Sequence, residues 1–407
     1  MIQVWTGAGE GSLSAAGVLD KSGNSGTTFA YRPGALSGEA VSLTMPPRVQ
    51  SWDQASGLAP IFDMNLPEGA LRARLNRRFA KAAGRLDDLD LLAIVGRTQI
   101  GRIRYSGMEE TVSEDVPFQS VDEILRARRS DGLYDYLLET FASHSGLGGV
   151  QPKVLIRDAQ KLSPDKAQFS SSVMGATHIV KMWDANEYPQ LAANEYFCLT
   201  AAKNLGFEIA PFELSGDGAA LVMERFDLGP DGWLGFEDFC VLNAKTSGRK
   251  YDGSIETNLF KRLAQFNDAP DNLADSQTLF ALIILNCALG NGDAHLKNFG
   301  LLYGGIDQPA RLSPVYDLVT TTAYLPQDQM ALTLDGSTRW PSQQRLIHLG
   351  RTYTALKEAK IKEIFDRTSS ALMALRADVS AWFDNSSNPE IGAAMIARWE
   401  AWSVRQE

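Results

Sequence analysis

The sequence predicts an α+β fold, with a small β-rich part early in the chain and a mainly helical part later. Alternating segments between glycine and serine turns, residues 27–31 and 41–44, are typical of short strands. Leu71, Leu75 and Phe79 recur every four residues, which indicates one face of a helix. Helical patterns then dominate the second half of the chain.

The composition is that of a globular protein, because 44% of the residues are hydrophobic and 22% are charged. A chain of 407 residues is long enough for two or three packed units. No apolar run reaches the roughly 18 residues of a membrane span, and the first residues do not resemble a secretory signal. We therefore expect no membrane contact and a cytoplasmic location. A net charge of −10 argues against a chain that coats nucleic acid.

Two further features predict no chemistry. The three cysteines, Cys198, Cys240 and Cys287, lie far apart, and we expect no disulfide or zinc site. The other feature is a basic run along the helix predicted near residue 75, which we interpret as a solvated face although it could hold an anionic partner. The run comprises Arg72, Arg74, Arg77, Arg78, Lys81 and Arg85.

The middle of the chain alternates between helices and strands. A polar stretch, residues 108–115, indicates a linker, and helices are expected over residues 121–128 and 132–141. Residues 212–214 and 219–223 predict paired strands across a glycine turn. The second strand is followed by the segment from Glu224 to Asp227, which includes Phe226. If this segment is the hinge between two lobes, its backbone would offer an adenine ring a hydrogen-bond donor and an acceptor.

A glycine-rich loop precedes a strand at residues 145–156. Glycines at 146, 148 and 149 would let backbone N–H groups approach phosphate oxygens, although glycine clusters usually mean only a turn. About 30 residues later, a strand ends in Lys181, the position of a phosphate-binding lysine in kinases. Glu195 lies on a predicted helix that stops at Gly206, and it could pair with Lys181. Taken singly, these residues would be a surface lysine and a solvated glutamate.

The octet Asn291-Gly292-Asp293-Ala294-His295-Leu296-Lys297-Asn298 carries the strongest chemical signal. It follows an apolar run, residues 279–285, which predicts a buried helix. An aspartate five residues before an asparagine is typical of a kinase catalytic loop, where the aspartate accepts a hydroxyl proton and the asparagine binds a metal. Asp317 follows at the place of the principal magnesium ligand. Taken alone, the pattern would equally fit a turn.

Together with residues 313–318, the octet resembles the HipA-like serine/threonine kinases, the toxins of bacterial toxin–antitoxin pairs. Gly149-Val150-Gln151-Pro152-Lys153 resembles the family's G-V-Q-P-K loop, and residues 60–69 resemble its small N-terminal domain. The resemblance implies a two-lobed, protein-kinase-like α+β fold. We expect a β-rich domain over residues 1–110, an upper lobe with linker helices over 111–227, and a helical catalytic lobe over 228–407.

The resemblance also implies a function, namely an ATP- and Mg²⁺-dependent protein kinase. Asp293 would be the base, Lys181 would hold phosphates, and Asn298 and Asp317 would hold the metal, while His295 supports the loop as a hydrogen-bonded strut. The residues expected to contact the nucleotide are Gly148, Gly149, Val150, Gln151, Lys153, Lys181, Glu195, Glu224, Phe226, His295, Lys297, Asn298 and Asp317.

The partners are likewise implied by kinship: an aminoacyl-tRNA synthetase as the phosphorylated protein, and a helix-turn-helix antitoxin through which DNA would be contacted. Two alternatives stay open, a small-molecule kinase of the aminoglycoside or sugar type and a catalytically silent module in an antitoxin–DNA assembly. Family members carry a serine that they phosphorylate just before the loop, where this chain has Gly146 and Gly148. Ser145 is the nearest candidate for autophosphorylation, and an ordinary loop serine is the alternative.

Overall fold

The structure is a computed structural model of the 407-residue chain. It describes residues 1–8, 12–83, 86–112, 115–128, 132–149, 151–164, 166, 175–183, 187–229, 232–267 and 271–404. The chain forms two compact units, each built from several segments. Unit 1 comprises Met1–Asp184, Ala210–Arg249 and Leu301–Ala310, and unit 2 comprises Ala185–Ile209, Lys250–Gly300 and Arg311–Glu407. The division into three domains at residues 110 and 227 stays a prediction.

Unit 1 begins with an antiparallel five-stranded sheet. Its strands are β1 (Ile2–Ala8), β2 (Ser12–Ser22), β3 (Gly26–Tyr31), β4 (Trp52–Gln54) and β5 (Ile103–Ser106), in the spatial order β4-β3-β2-β1-β5. The strand β5 lies at one edge of the sheet and pairs with β1, with Gln3 opposite Ser106. The predicted strand at residues 27–31 is therefore confirmed.

The strand predicted at residues 41–44 is wrong. This segment is a turn, in which the Ser42 hydroxyl accepts a hydrogen bond from Thr44 N at 2.9 Å. The Leu43 N–H donates to the buried Glu237 carboxylate at 2.6 Å. Serine side chains compete in this way with strand ladders, because they offer the backbone a local partner.

Three helices, α1 (Pro60–Asp63), α2 (Gly69–Ala83) and α3 (Asp88–Val95), pack on this sheet. Leu71 and Leu75 are buried and Phe79 packs against the same core, so the predicted helix face is confirmed. Burying such side chains stabilises the fold by about 1.5–3 kcal/mol each.

A second antiparallel sheet in unit 1 has the order β6-β7-β9-β8. It is preceded by two helices, α4 (Val121–Arg126) and α5 (Leu133–Phe141). The strands are β6 (Lys153–Ile156), β7 (His178–Met182), β8 (Phe212–Leu214) and β9 (Ala220–Glu224). These strands and helices confirm the predicted elements at nearly the predicted bounds. The unit also contains β10 (Leu228–Gly229), β11 (Gly232–Trp233), β12 (Gly235–Asp238), the helical turn Phe239–Leu242 and β13 (Gly300–Tyr303), with β12 beside β13.

A fully buried ion pair ties the two sheets of unit 1 together. Arg225 donates from Nε to Asp227 Oδ1 at 3.0 Å and from Nη2 to Asp227 Oδ2 at 2.6 Å, and neither side chain is exposed. The Gly101 N–H donates to the same carboxylate at 2.6 Å, and Arg225 Nη2 also donates to Gln99 O at 2.6 Å. The segment that enters β5 is thus bonded to the segment that leaves β9.

Unit 2 is mainly helical. Its helices are α6 (Leu191–Asn204), a π-helix (Ile255–Phe260), α7 (Lys261–Phe266), α8 (Asp271–Leu289), α9 (Gln343–Tyr353), α10 (Glu358–Ala374), α11 (Arg376–Asp384) and α12 (Pro389–Val404), and its short strand is β14 (Arg311–Leu312). The helix α6 ends just before Gly206, as predicted, and that glycine has a φ of +89°.

The helix α8 is the apolar support predicted before the octet. Its segment Asn272–Leu289 is long and apolar enough to cross a membrane, but 61% of it is buried inside the protein. Within the described part of the chain it is the one helix with this property, and such burial is typical of a core helix. The three cysteines are free thiols, and all three are buried.

Candidate functional site

The octet forms a tight loop directly after α8, which we call the Asp293 loop (residues 291–298). Asn291 Nδ2 donates to Asn286 Oδ1 at 2.7 Å, so the loop is fastened to the last turns of the buried helix. Asn291 Oδ1 accepts from Asp293 N at 3.2 Å, and His295 N donates to Asp293 O at 2.8 Å. These local bonds fix the backbone on both sides of Asp293, and a rigid support is what a catalytic side chain needs.

The Asp293 carboxylate lies at the surface of unit 2, with its side chain 51% exposed. Partial burial raises the pKa of this carboxyl above its ordinary value, and the hydrogen bond from Tyr251 opposes that rise. Tyr251 Oη donates to Asp293 Oδ1 at 2.6 Å. The carboxylate is therefore accessible and already accepts a proton-bearing hydroxyl group.

His295 lies beneath the loop and is buried. Burial lowers the pKa of its imidazole to about 3, so the ring is neutral near pH 7. Its backbone N–H donates to Asn298 Oδ1 at 3.1 Å, and its ring meets the Tyr251 ring edge-on with centroids 5.1 Å apart. The Nδ1 atom has no hydrogen-bond partner within the described residues. The predicted role of His295 as a hydrogen-bonded strut stays a prediction.

Asn298 and Asp317 lie side by side, as the sequence predicts for two metal ligands. Asn298 Nδ2 is 3.4 Å from Asp317 Oδ2, and Tyr316 Oη donates to Lys297 O at 2.9 Å, which joins the two segments. The expected extended segment stops short of Asp317, which has a φ of +54°, a left-handed conformation that aspartate tolerates better than most residues. Such strain is often found at functional sites.

These two side chains fit a magnesium site of the kinase type. Among the described residues no three His, Cys, Asp or Glu side chains form a metal-binding group. Mg²⁺ bound with substrate phosphates, however, needs only one or two protein oxygens, with the remaining ligands supplied by phosphate and water. A pair made of one carboxylate and one amide meets that requirement.

A second layer of residues lies behind the loop, and sequence patterns did not predict it. The Gly292 N–H donates to Thr321 Oγ1 at 2.7 Å, and the same hydroxyl lies 3.0 Å from Gly290 O and 2.5 Å from Asp328 Oδ2. A Cβ atom at position 292 would come within 2.1 Å of that carboxylate oxygen, so only glycine fits there. Tyr251, Thr321 and Asp328 are the site residues that sequence reasoning missed. The one available signal was that residues 246–253, which include Tyr251, resemble the segment near the protein-substrate site in HipA-like kinases.

In unit 1 the predicted phosphate-binding residues gather at the start of the second sheet. Lys153 on β6 lies directly opposite Lys181 on β7, and both are at least nine-tenths buried. Gly149 has a φ of +102°, and a Cβ there would lie 2.7 Å from Lys153 Nζ. Gln151 Nε2 donates to Met182 O at 3.0 Å, which fastens the loop to β7. Two ammonium groups on one face of a sheet create a positive potential that suits phosphate oxygens.

The remaining predicted residues fall in different surroundings. Glu224 is buried and accepts from Lys166 Nζ and the Ser163 hydroxyl, at 2.7 and 2.8 Å. Its own N–H donates to Pro211 O, and Arg225 N donates to Thr177 O, so neither amide is available to an adenine ring in this conformation. Phe226 packs edge-on against Phe236 with centroids 5.3 Å apart.

The other predicted site residues are Glu195, Gly148, Val150 and Ser145. Glu195 is buried on α6 of unit 2, not solvated, and its pairing with Lys181 stays a prediction. Gly148 is half-buried in the glycine loop. Val150 lies outside the described residues. Ser145 is fully buried: its hydroxyl donates to Phe141 O at 2.7 Å and accepts from Leu155 N at 2.9 Å.

Comparison with protein families gives two matches along the chain. A model described as HipA N-terminal domain matches residues 10–106, and a model described as HipA-like C-terminal domain matches residues 145–375. The second match alone spans more than half of the chain. This protein belongs to the HipA-like family. The expected resemblance is thereby confirmed, and the sheets and helices of the structure confirm the α+β fold class.

Individual relatives agree with this placement. Two proteins of Sinorhizobium fredii named as candidate kinases, Y4dM and Y4mE, are 27% and 29% identical over 335 and 348 residues. The matches span 78% and 80% of this chain and 75% and 78% of the relatives. A solved structure of HipA from Shewanella oneidensis, in a complex with HipB and operator DNA, matches this chain with a TM-score of 0.65 at 18% identity. The match covers 99% of this chain and 98% of the HipA chain. This HipA-like chain thus shares its fold with that protein over nearly its whole length.

Proposed function

We propose that this HipA-like protein is an ATP- and magnesium-dependent serine/threonine protein kinase that acts as the toxin of a toxin–antitoxin pair. One observation carries the proposal: an accessible aspartate, Asp293, lies on the same rigid loop as Asn298, which is hydrogen-bonded to Asp317. This is the set of groups that phosphoryl transfer requires, because the reaction depends mainly on positioned charge.

Each group has a distinct role in this proposal. Asp293 accepts the proton of the acceptor hydroxyl, and its accessible carboxylate leaves room for a side chain of another protein. Asn298 and Asp317 would hold Mg²⁺, which when bound neutralises charge on the phosphates. Lys181 and Lys153 would bind phosphate oxygens from their shared face of the second sheet. A neutral His295 keeps the loop in shape without taking part in proton transfer.

The proposed partners rest on kinship. The HipA of Shewanella oneidensis forms a complex with HipB and operator DNA. By analogy we propose a helix-turn-helix antitoxin as the partner, with DNA reached mainly through it, since the net charge of −10 does not favour direct coating of DNA. The proposed substrate is a translation protein such as an aminoacyl-tRNA synthetase, and the proposed location is the cytoplasm.

The experiment that tests the activity is incubation of the protein with γ-labelled ATP, magnesium and a bacterial lysate. A labelled protein band supports a protein kinase, a labelled small molecule supports a small-molecule kinase, and no transfer supports a silent binding module. Asp293→Asn should lower protein labelling by about 10²–10⁴-fold, the usual contribution of a general base. The matched control is Asp366→Asn, at an exposed position on α10, which should label normally.

The toxin role is tested by induced expression in a bacterial host. Wild-type protein should arrest growth, and Asp293→Asn should relieve the arrest while accumulating to the same level. A toxic Asp293→Asn protein would show that binding, and not phosphoryl transfer, causes the arrest.

A further inference from the structure

The position that an acceptor hydroxyl must take at Asp293 is filled by a residue of the chain itself. Tyr251 Oη lies 2.6 Å from Asp293 Oδ1. A substrate hydroxyl that gives its proton to a general base has to come within about 2.6–3.2 Å of it. Tyr251 is also 50% exposed, so its side chain is partly open to solvent. Both requirements for an acceptor, contact with the base and access, are met by one phenol.

The segment around Tyr251 is held to the Asp293 loop by its backbone. Leu296 N donates to Lys250 O at 3.1 Å, and Gly253 N donates to Tyr251 O at 3.0 Å, which makes a tight turn at the tyrosine. The ring is steadied edge-on by the His295 ring, 5.1 Å away. Reaction partners held in one orientation react as if they were highly concentrated. The backbone bonds and the ring contact therefore hold the phenol next to the base.

We propose that Tyr251 is an internal phosphoryl acceptor, which the kinase modifies when no protein substrate displaces it from Asp293. This inference rests on the proposed function, because it needs Asp293 as the base and a nucleoside triphosphate with a divalent cation as the donor. In the step, a bond forms between Tyr251 Oη and the γ-phosphorus, the bond from that phosphorus to the β–γ bridging oxygen breaks, and the diphosphate leaves. The phenol proton passes to Asp293 Oδ1.

The alternative acceptor, Ser145, has the opposite surroundings. It is fully buried in unit 1, and its hydroxyl is occupied by Phe141 O and Leu155 N. Modification there would break both bonds and leave Phe141 O and Leu155 N without these partners in the interior, which is costly. Self-modification at Tyr251 needs no such opening.

The modification would limit the activity of the site that makes it. A phosphate group brings close to two negative charges at neutral pH, and here it would stand beside the Asp293 carboxylate. Repulsion between the two groups expels the modified side chain from the loop or, if the turn holds it there, blocks the place of the next acceptor. Transfer to other proteins would then fall as the phosphate on Tyr251 accumulates.

The test begins with phosphatase-treated full-length protein, incubated with γ-labelled ATP and magnesium without a lysate and analysed by peptide mapping. The expected result is phosphate on the peptide that contains Tyr251. Tyr251→Phe should lower self-labelling at least about tenfold, and Asp293→Asn should lower it by about 10²–10⁴-fold. The matched control is Tyr136→Phe, since Tyr136 lies on α5 with 49% exposure, equal in access but remote in sequence from the Asp293 loop. It should label like the wild type.

Five outcomes decide the matter. Phosphate on Tyr251 that forms at the same rate per molecule at all protein concentrations supports the inference. Phosphate on Ser145 or Tyr136 and none on Tyr251 overturns it. When wild-type protein is mixed with Asp293→Asn protein, phosphate on Tyr251 of the Asp293→Asn protein also overturns it, because the transfer is then between molecules. A protein that labels lysate proteins and leaves Tyr251 unmodified overturns the inference alone. A protein that transfers phosphate to nothing overturns both the inference and the proposed function.

Discussion

Asp227→Asn should lower the free energy of unfolding by more than so small a change in the side chain suggests. The substitution keeps the shape of the side chain and removes one charge from the pair with Arg225. Asp227 accepts two hydrogen bonds from the guanidinium and one from Gly101 N, and neither charged side chain is exposed. Because a guanidinium remains charged at any pH a protein tolerates, the variant leaves an uncompensated charge in the interior of unit 1.

The expected magnitude follows from this burial. Removing one partner of a buried ion pair costs about 3–5 kcal/mol, whereas an exposed pair contributes about 0–1 kcal/mol. Both side chains are fully buried, which places this pair in the first class. Proteins are stable by only about 5–15 kcal/mol in total, so the loss is a large fraction of the whole.

The assay is urea unfolding followed by circular dichroism. The matched control is Glu208→Gln, which breaks an exposed pair with Arg311 of nearly the same length, 2.8 Å, and should shift the free energy of unfolding by less than about 1 kcal/mol. A double variant, Arg225→Met with Asp227→Leu, should recover part of the loss because no charge is then left unpaired. If Asp227→Asn costs no more than Glu208→Gln, the pair is not sealed from water and the reasoning is wrong.

Three other predictions follow from the same structure. Gly292→Ala would place a Cβ 2.1 Å from Asp328 Oδ2, so it should displace the Asp293 loop and lower phosphoryl transfer about 10²-fold, while Gly305→Ala, which meets open space, should transfer normally. Asp317→Ala should weaken ATP binding in titration calorimetry when magnesium is present and change it little when magnesium is absent; equal loss in both conditions would contradict the metal role. Burial lowers the pKa of His178 from 6.5 to about 4, so the unfolded chain binds more protons between these values and stability should fall as the pH drops through that window. His178→Gln should flatten this slope in thermal unfolding between pH 7 and 4, and an unchanged slope would assign the effect to other groups.

The sequence was sufficient to predict the helices and strands that have one apolar face. The helix that supports the octet, the helix through Leu71 and Leu75, and the strands around Lys181 all follow from periodicity, because burial of such faces decides local structure. The octet itself was also predictable, since Asp293, Asn298 and Asp317 occur at the spacing of a catalytic loop. The structure places all three residues in unit 2, with Asn298 Nδ2 3.4 Å from Asp317 Oδ2.

What the sequence did not predict depends on contacts between distant residues. Residues 41–44 alternate like a strand, yet Glu237, almost 200 residues later, accepts Leu43 N and leaves the segment as a turn. The bonds from the Ser163 hydroxyl and Lys166 to the Glu224 carboxylate span about 60 residues, and no local pattern records them; the hinge role of this segment stays a prediction. The bond from Tyr251 to Asp293 joins residues 42 positions apart, and no local pattern records such a bond.

The pairing of β5 with β1 has a consequence for synthesis of the chain. The strand β1 is made first but lies inside the sheet, and its open side is covered only when Ile103–Ser106 has left the ribosome. Until then the emerging chain presents a row of unpaired backbone groups, a template for pairing with a neighbouring nascent chain. At about 5–20 residues per second, that exposure lasts roughly 5–20 seconds. A message that slows translation just before codon 103 would lengthen this interval, and expression yield should fall with it.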